Sequence, residues 1–267
     1  MPSVPQPGAA VQPAPGTRLT GLHAVVTGAS SGIGQAIAER FAAQGASVLI
    51  TYRDAEPAAR DVAEGIAARG GEALVLRADL SGRAGCERLA SEAWELLGGV
   101  DIWVNNAGAD ILTGDAASWE WERKLELLLA VDLKGTVACC RTAVAAMRRQ
   151  PRGGNIINMS WDQVLTGMAG ENPELFSAVK GAVLSYSKSL ARSVAPEIRV
   201  NVLCPGWIET RFGREVDRTF HRAVRESIPL HRWGRPEDVA AAAVYLASPE
   251  AAFVTGQAIN VNGGVVM

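Results

Sequence analysis

Regular alternation of strand-like and helix-like segments from Leu22 to the C-terminus predicts an α/β fold: a doubly wound, three-layer sandwich around a seven-stranded parallel sheet. Two further observations point the same way. The strand-like segments are short apolar runs rich in Val, Ile and Leu, as strands covered on both faces require. A glycine-rich loop, Thr27-Gly28-Ala29-Ser30-Ser31-Gly32-Ile33-Gly34, joins the first such run, Ala24-Val25-Val26, to a segment with apolar residues at helical spacing, Gln35 to Ala43.

Taken in order, residues 1–17 are rich in Pro, Ala, Gly and Gln and have little to bury, so they are expected to form a disordered extension, with 18–267 as one domain. Strands are predicted over 22–27, 46–52, 73–78, 100–104, 154–160, 198–204 and 257–261. Helices are predicted over 32–44, 56–69, 83–97, 117–149, 174–194 and 236–247. The segment 206–235 is the least regular and carries Trp207, Phe212, Phe220, His221 and Trp233. It reads as an insertion over the carboxyl edge of the sheet, where ligands bind in such folds.

Composition narrows the function. A net charge of −2 gives no electrostatic case for nucleic acid or a membrane surface. No apolar run reaches membrane-spanning length, and the N-terminus lacks the pattern of a secretion signal. Cys86, Cys139, Cys140 and Cys204 show neither metal nor disulfide spacing, and adjacent Cys139 and Cys140 read as space-filling. A cytoplasmic location is therefore expected. His23, His221 and His231 are too scattered to suggest a triad or a metal site.

Glycines between a strand end and a helix start let the backbone turn tightly and approach a ligand, while the helix N–H groups suit a pyrophosphate. The spacing here is GxxxGxG. Four more stretches lie at or just past predicted strand ends: Asp79-Leu80, Asn105-Asn106-Ala107-Gly108, Pro205-Gly206-Trp207-Ile208-Glu209-Thr210, and Val261-Asn262-Gly263-Gly264. With the glycine loop they resemble, in the correct order, the motifs of the classical short-chain dehydrogenase/reductase family over residues 20–264. The resemblance implies a Rossmann-type fold and a nicotinamide nucleotide held by Gly28, Ser30, Ser31, Gly32, Ile33, Gly34, Asp79, Leu80, Asn106, Ala107, Gly108, Pro205, Gly206, Ile208 and Thr210. Asp79 would contact the adenine, and the 205–210 stretch would hold the nicotinamide amide.

Nucleotide choice is read from the end of the second strand. A carboxylate there would accept the ribose hydroxyls of NAD(H) and repel a 2′-phosphate. Tyr52 and Arg53 stand there instead, and a guanidinium can pair with the phosphate, which favours NADP(H) over NAD(H). Asp54 follows at once, so Arg53 also reads as a solvated surface charge.

The resemblance departs at the positions that would do the chemistry. The family uses Asn, Ser, Tyr and Lys, the last two as YxxxK on one helix face. Lys180 is present, where it would bind the nicotinamide ribose, but Phe176 occupies the Tyr position and has nothing to titrate. Asp132 stands for Asn. The Ser position falls on Trp161 when counted forward from the strand and on Gln163 when counted back from Phe176; Ser160 lies a little too early. Asp162 is the leading replacement for the proton-transfer group, provided that burial raises its pKa, and Asp132 is the second. Pairing with Lys180 would keep either carboxylate ionised and a poor acid. Asp162 also reads as a surface turn residue. Trp161 and Trp207 read as pocket walls or packing.

The expected function is an NADP(H)-dependent oxidoreductase acting on a carbonyl/alcohol or activated C=C bond of a small molecule, with a proton route that does not use Tyr. The alternatives are a non-redox isomerase, dehydratase or cyclase on the same scaffold, or a nucleotide-binding protein without catalysis. The resemblance implies a homo-oligomer, tetramer or dimer.

Overall fold

A computed structural model describes residues 18–267; the expected N-terminal extension, 1–17, lies outside the described residues. Seven parallel strands are present: β1 (His23–Val26), β2 (Ser47–Tyr52), β3 (Glu72–Arg77), β4 (Ile102–Asn105), β5 (Gly154–Met159), β6 (Ile198–Pro205) and β7 (Ala258–Val261). Their spatial order is β3-β2-β1-β4-β5-β6-β7, so the direction of winding reverses between β1 and β4. That reversal opens a crevice at the carboxyl ends of the two strands.

The sheet is covered on both faces, and the two-residue period of a strand shows how. Ala24, Val26, Val48, Ile50, Ile102 and Val104 face one apolar cluster, packed by α1 (Gly32–Ala43), α2 (Glu56–Ala68) and α9 (Pro236–Ala247). The intervening Val25, Leu49 and Trp103 face the other, packed by α3 (Arg83–Leu97), α5 (Thr136–Met147) and α6 (Glu171–Val194). Strands with no polar face must be apolar throughout, which is why β-branched runs were informative.

Two expectations need correction. The helix predicted over 117–149 is not continuous: a 3₁₀ turn at Gly114–Ser118 precedes α4 (Trp121–Leu128), and a π-helical segment, Leu129–Gly135, separates α4 from α5. Periodicity misses this because one extra residue in a turn leaves most apolar positions on the same side; the turn brings Asp132 inward, buried at 1 % exposure. The segment 206–235 is more regular than expected, carrying α7 (Arg211–Glu215) and α8 (Arg218–Ser227). Asp217 caps α8 by accepting hydrogen bonds from the Thr219 and Phe220 amides at 2.8 and 3.0 Å. Among the described residues, no helix is long and apolar enough to cross a membrane.

Candidate active site

A cleft of about 1290 Å³ runs along the carboxyl edge of the sheet, from the end of β3 to the aromatic residues of 206–235. One half is built on the glycine loop. The Thr27 hydroxyl accepts hydrogen bonds from the Asn106 and Ala107 backbone amides, both 3.0 Å, while the Asn106 side-chain Nδ2 donates to the Thr27 and Gly28 carbonyls, again 3.0 Å. This stitching presses Gly28, at φ +61°, against Ala107, whose Cα would lie 2.8 Å from a Cβ placed there. Ser31 makes no side-chain cap to α1, and Ser30, Ser31, Gly32 and Ile33 line the cleft. The N–H groups of the first helical turn are therefore left for an anion.

Further along, Tyr52, Arg53, Asp79 and Leu80 line the same half. Asp79 accepts a 2.9 Å hydrogen bond from the Ser81 amide, which holds its carboxyl below the ordinary range. Arg53 pairs with Asp54 at 2.5 Å. Arg77, the last residue of β3 and the register partner of Tyr52, donates to the Arg53 carbonyl at 2.9 Å and approaches Asp54 at 3.9 Å. Two guanidinium groups thus flank one carboxylate. The sequence reading missed Arg77; its signal was the position of a cation at the end of the strand beside β2.

The other half holds the residues expected to do chemistry. Lys180, on α6, forms an ion pair with Asp132 at 2.8 Å and donates to the Met159 carbonyl at 3.4 Å. Both partners are nearly sealed from solvent, and Asp132 also accepts from the Ala109 amide at 2.8 Å. Gly108 permits this approach, since a Cβ there would meet Asp132 Oδ1 at 3.0 Å. Phe176, one turn before Lys180, packs edge-on against Trp161, with ring centroids 5.8 Å apart at 85°. The Lys180 ammonium lies 5.5 Å from the Phe176 centroid. Ser160 turns its hydroxyl onto the Lys180 carbonyl at 2.8 Å.

Asp162 is neither a surface turn residue nor a wall of the cleft. It is 3 % exposed, and its Oδ2 accepts a 3.1 Å hydrogen bond from Asn262 beyond the end of β7. Its Oδ1 is buried without a hydrogen-bond partner. A Cβ at Gly206 would come within 2.9 Å of Oδ2, so the carboxyl lies beneath the Pro205-Gly206 turn. Burial pushes its pKa up to about 6, against the lowering effect of Asn262. Gln163 does not line the cleft, and neither does Gly34, which allows Asn106 and Gly28 to pack behind the loop. Pro205, Gly206, Ile208 and Thr210 close the middle of the cleft.

The outer wall is aromatic. Trp207 stacks on Phe212 at 6.3 Å and meets Phe220 and Trp233 edge-on at 5.7 and 5.6 Å. His221 stacks on Trp233 at 4.7 Å, with Nε2 3.9 Å from Glu209. No cluster of His, Cys, Asp and Glu among the described residues has the arrangement to hold a metal ion.

Comparison with known proteins places this geometry. A family model described as Enoyl-(Acyl carrier protein) reductase matches residues 28–266. The 3beta-hydroxysteroid dehydrogenase 1 of Eggerthella lenta is 38% identical over 254 residues, covering 93% of this chain and 95% of its own. The 3-oxoacyl-[acyl-carrier-protein] reductase FabG of Aquifex aeolicus is 36% identical over 252 residues, covering 93% and 98%. Among solved structures, a short chain dehydrogenase from Burkholderia cenocepacia in complex with NADP superposes with a TM-score of 0.83 at 31% identity, covering 93% of this chain and 99% of that one.

Proposed function

The chain belongs to the short-chain dehydrogenase/reductase family, and on that footing we propose that it is an NADP(H)-dependent oxidoreductase acting on a polarised double bond of a small molecule, a carbonyl/alcohol or activated C=C, without a tyrosine in the proton route. The observation that carries the reading is the pair of guanidinium groups, Arg53 and Arg77, around a single carboxylate at the ends of β2 and β3. Two guanidinium groups can pair with a 2′-phosphate, and Tyr52 stands where a repelling carboxylate would be. The NADP complex of the Burkholderia relative supports the same choice.

The residues present fit the dinucleotide: the glycine loop is held flat enough for close backbone approach, and α1 offers uncapped N–H groups. When bound, the nicotinamide supplies or takes a hydride. Ser30, Ser31, Gly32 and Ile33 would hold the pyrophosphate, Asp79 and Leu80 the adenine, and the Pro205–Thr210 turn the carboxamide. Lys180 is ion-paired with Asp132 and donates to the Met159 carbonyl, which leaves N–H capacity for a ribose hydroxyl or a water. Asp132 is held by the ammonium at 2.8 Å and accepts a hydrogen bond from the Ala109 amide, so its carboxyl is engaged within the site. We assign Asp162 to shaping the Gly206 turn, because its carboxyl is directed at Asn262 behind that turn. Neither Asp132, paired with Lys180, nor Asp162, behind the Gly206 turn, offers the cleft the free carboxyl that the non-redox reading asked of them. Association into a dimer or tetramer through α5, α6 and β7 completes the proposal.

Separate titrations with NADPH and NADH, followed by nicotinamide fluorescence and melting temperature, test it. NADPH is expected to bind roughly tenfold tighter and to raise the melting temperature. Failure to bind either nucleotide would overturn the reading.

A further inference from the structure

Reducing a carbonyl builds negative charge on oxygen, and an enzyme meets it with a hydrogen-bond donor and a proton. At the place where the cleft would meet that oxygen, this chain presents two aromatic rings. Trp161 and Phe176 pack edge-on, both half-buried and both lining the cleft. Neither carries a titratable proton, and the hydroxyl that is nearby, Ser160, is bonded to the Lys180 carbonyl. The faces of such rings are negative, and they attract cations. The Phe176 ring already receives one, the Lys180 ammonium at 5.5 Å, but Asp132 neutralises that charge at 2.8 Å, so a second cation is not repelled by an unpaired lysine. Asp110 adds a carboxylate on the same cleft, with Arg211 within electrostatic reach of it. Burial pushes its pKa up, yet hydrogen bonds from Thr113 and Leu112 outweigh this and hold it below the ordinary range. Ile111, beside it, belongs to the cluster against which Phe176 packs.

We propose that the polarised bond this site accepts is C=N⁺, the iminium of a flat apolar amine, recognised by the Trp161 and Phe176 rings and by the aromatic wall at Trp207 and Phe212. The inference rests on the NADP(H)-dependent reading above and names its substrate class. An iminium resolves the missing tyrosine, because the carbon takes the hydride of the reduced nucleotide, the C=N π pair becomes the nitrogen lone pair, and the nucleotide leaves as NADP⁺. No anion forms and no proton is transferred in that step. The rings act on recognition, so their effect belongs in KM more than in kcat.

The test uses the full chain with NADPH and two bicyclic acceptors of similar size, each electrophilic at the benzylic ring carbon: N-methyl-3,4-dihydroisoquinolinium, a permanent cation, and 1-tetralone, a neutral ketone. In parallel, quenching of tryptophan fluorescence compares N-methylisoquinolinium with neutral 2-methylnaphthalene. The expected results are a kcat/KM roughly tenfold or more in favour of the iminium, tighter binding of the cation, and a shift of the ratio towards the ketone by roughly a hundredfold in Phe176→Tyr, which restores a proton donor. NADPH binding with no oxidation by the iminium, or with the ketone reduced as well or better, overturns the inference and leaves the nucleotide reading intact. Absence of NADPH binding overturns that reading instead. Hydride transfer to the iminium falls with it, and the cation-binding comparison then tests recognition by the rings, which equal binding of the cation and its neutral counterpart refutes.

Discussion

Replacing Asp162 by Asn should stabilise the protein, and the gain should grow with pH. The carboxyl is 3 % exposed, with one oxygen bonded to Asn262 at 3.1 Å and the other unpartnered. An amide keeps the acceptor for Asn262 and carries no charge to desolvate, while its NH2 takes the place of the unpartnered Oδ1 at a cost of about 1 kcal/mol that does not vary with pH. The folded-state pKa of about 6 lies above the ordinary value for an aspartate in an unfolded chain, about 3.9. At about 1.4 kcal/mol per tenfold change in the equilibrium, ionising Asp162 in the fold costs about 3 kcal/mol. Below about pH 4 the group is protonated in both states and the cost is absent. Between about pH 4 and 6 the unfolded chain ionises first, so the fold binds more protons and loses stability as pH rises. Above about pH 6 the cost is complete. Between about pH 4 and about pH 7.5, urea melts should therefore shift in favour of Asp162→Asn over the wild type by about 3 kcal/mol. That change corresponds to about 6–12 °C in relative melting temperature. A pH-independent difference, or a variant less stable than wild type near neutrality, would refute the argument.

Arg77→Gln should weaken NADPH binding by about 1 kcal/mol, a modest loss because the side chain is exposed, and leave NADH binding unchanged; equal effects on both nucleotides in a fluorescence titration would remove Arg77 from the phosphate site. Asp132→Ala strands the buried Lys180 ammonium and should cost about 3–5 kcal/mol in urea melts, with most of the loss recovered in the double variant Asp132→Ala/Lys180→Met; no recovery would mean that Asp132 matters through the Ala109 amide instead. Gly206→Ala drives a methyl to 2.7 Å from Asn262 Cβ and 2.9 Å from Asp162 Oδ2, so about 1–3 kcal/mol of destabilisation is expected together with weaker NADPH binding. A variant that melts and binds like wild type would show that the turn is slack.

The sheet was legible because its strands are buried on both faces, which writes each of them as a compact apolar run. The glycine loop was legible because Gly28 lies too close to Ala107 to tolerate a side chain. The break between α4 and α5 was not, since a π turn preserves the apolar spacing on either side of it. Composition likewise hid α7 and α8, which are short and lie in a segment where aromatic residues serve the cleft. Among the site residues, the sequence pointed to Asp132, Phe176 and Lys180, and they lie together, with Lys180 2.8 Å from Asp132 and 5.5 Å from the Phe176 centroid. It could not give the direction of Asp162: a residue just past a strand can point to either side of the edge, and the partner that decides it, Asn262, is 100 positions away. Arg77 escaped for the same reason, since its meaning comes from Tyr52 on the neighbouring strand.

The claim at the centre of the account is the proposed hydride transfer from NADPH in a site that presents the Phe176 ring one turn before Lys180. The most direct measurement uses NADPH carrying deuterium at C4 in each configuration, a panel of carbonyl, enone and iminium acceptors, and mass spectrometry of the products. The account predicts deuterium in at least one product, delivered from only one of the two labelled forms. NADPH that binds yet passes deuterium to none of the acceptors would contradict it.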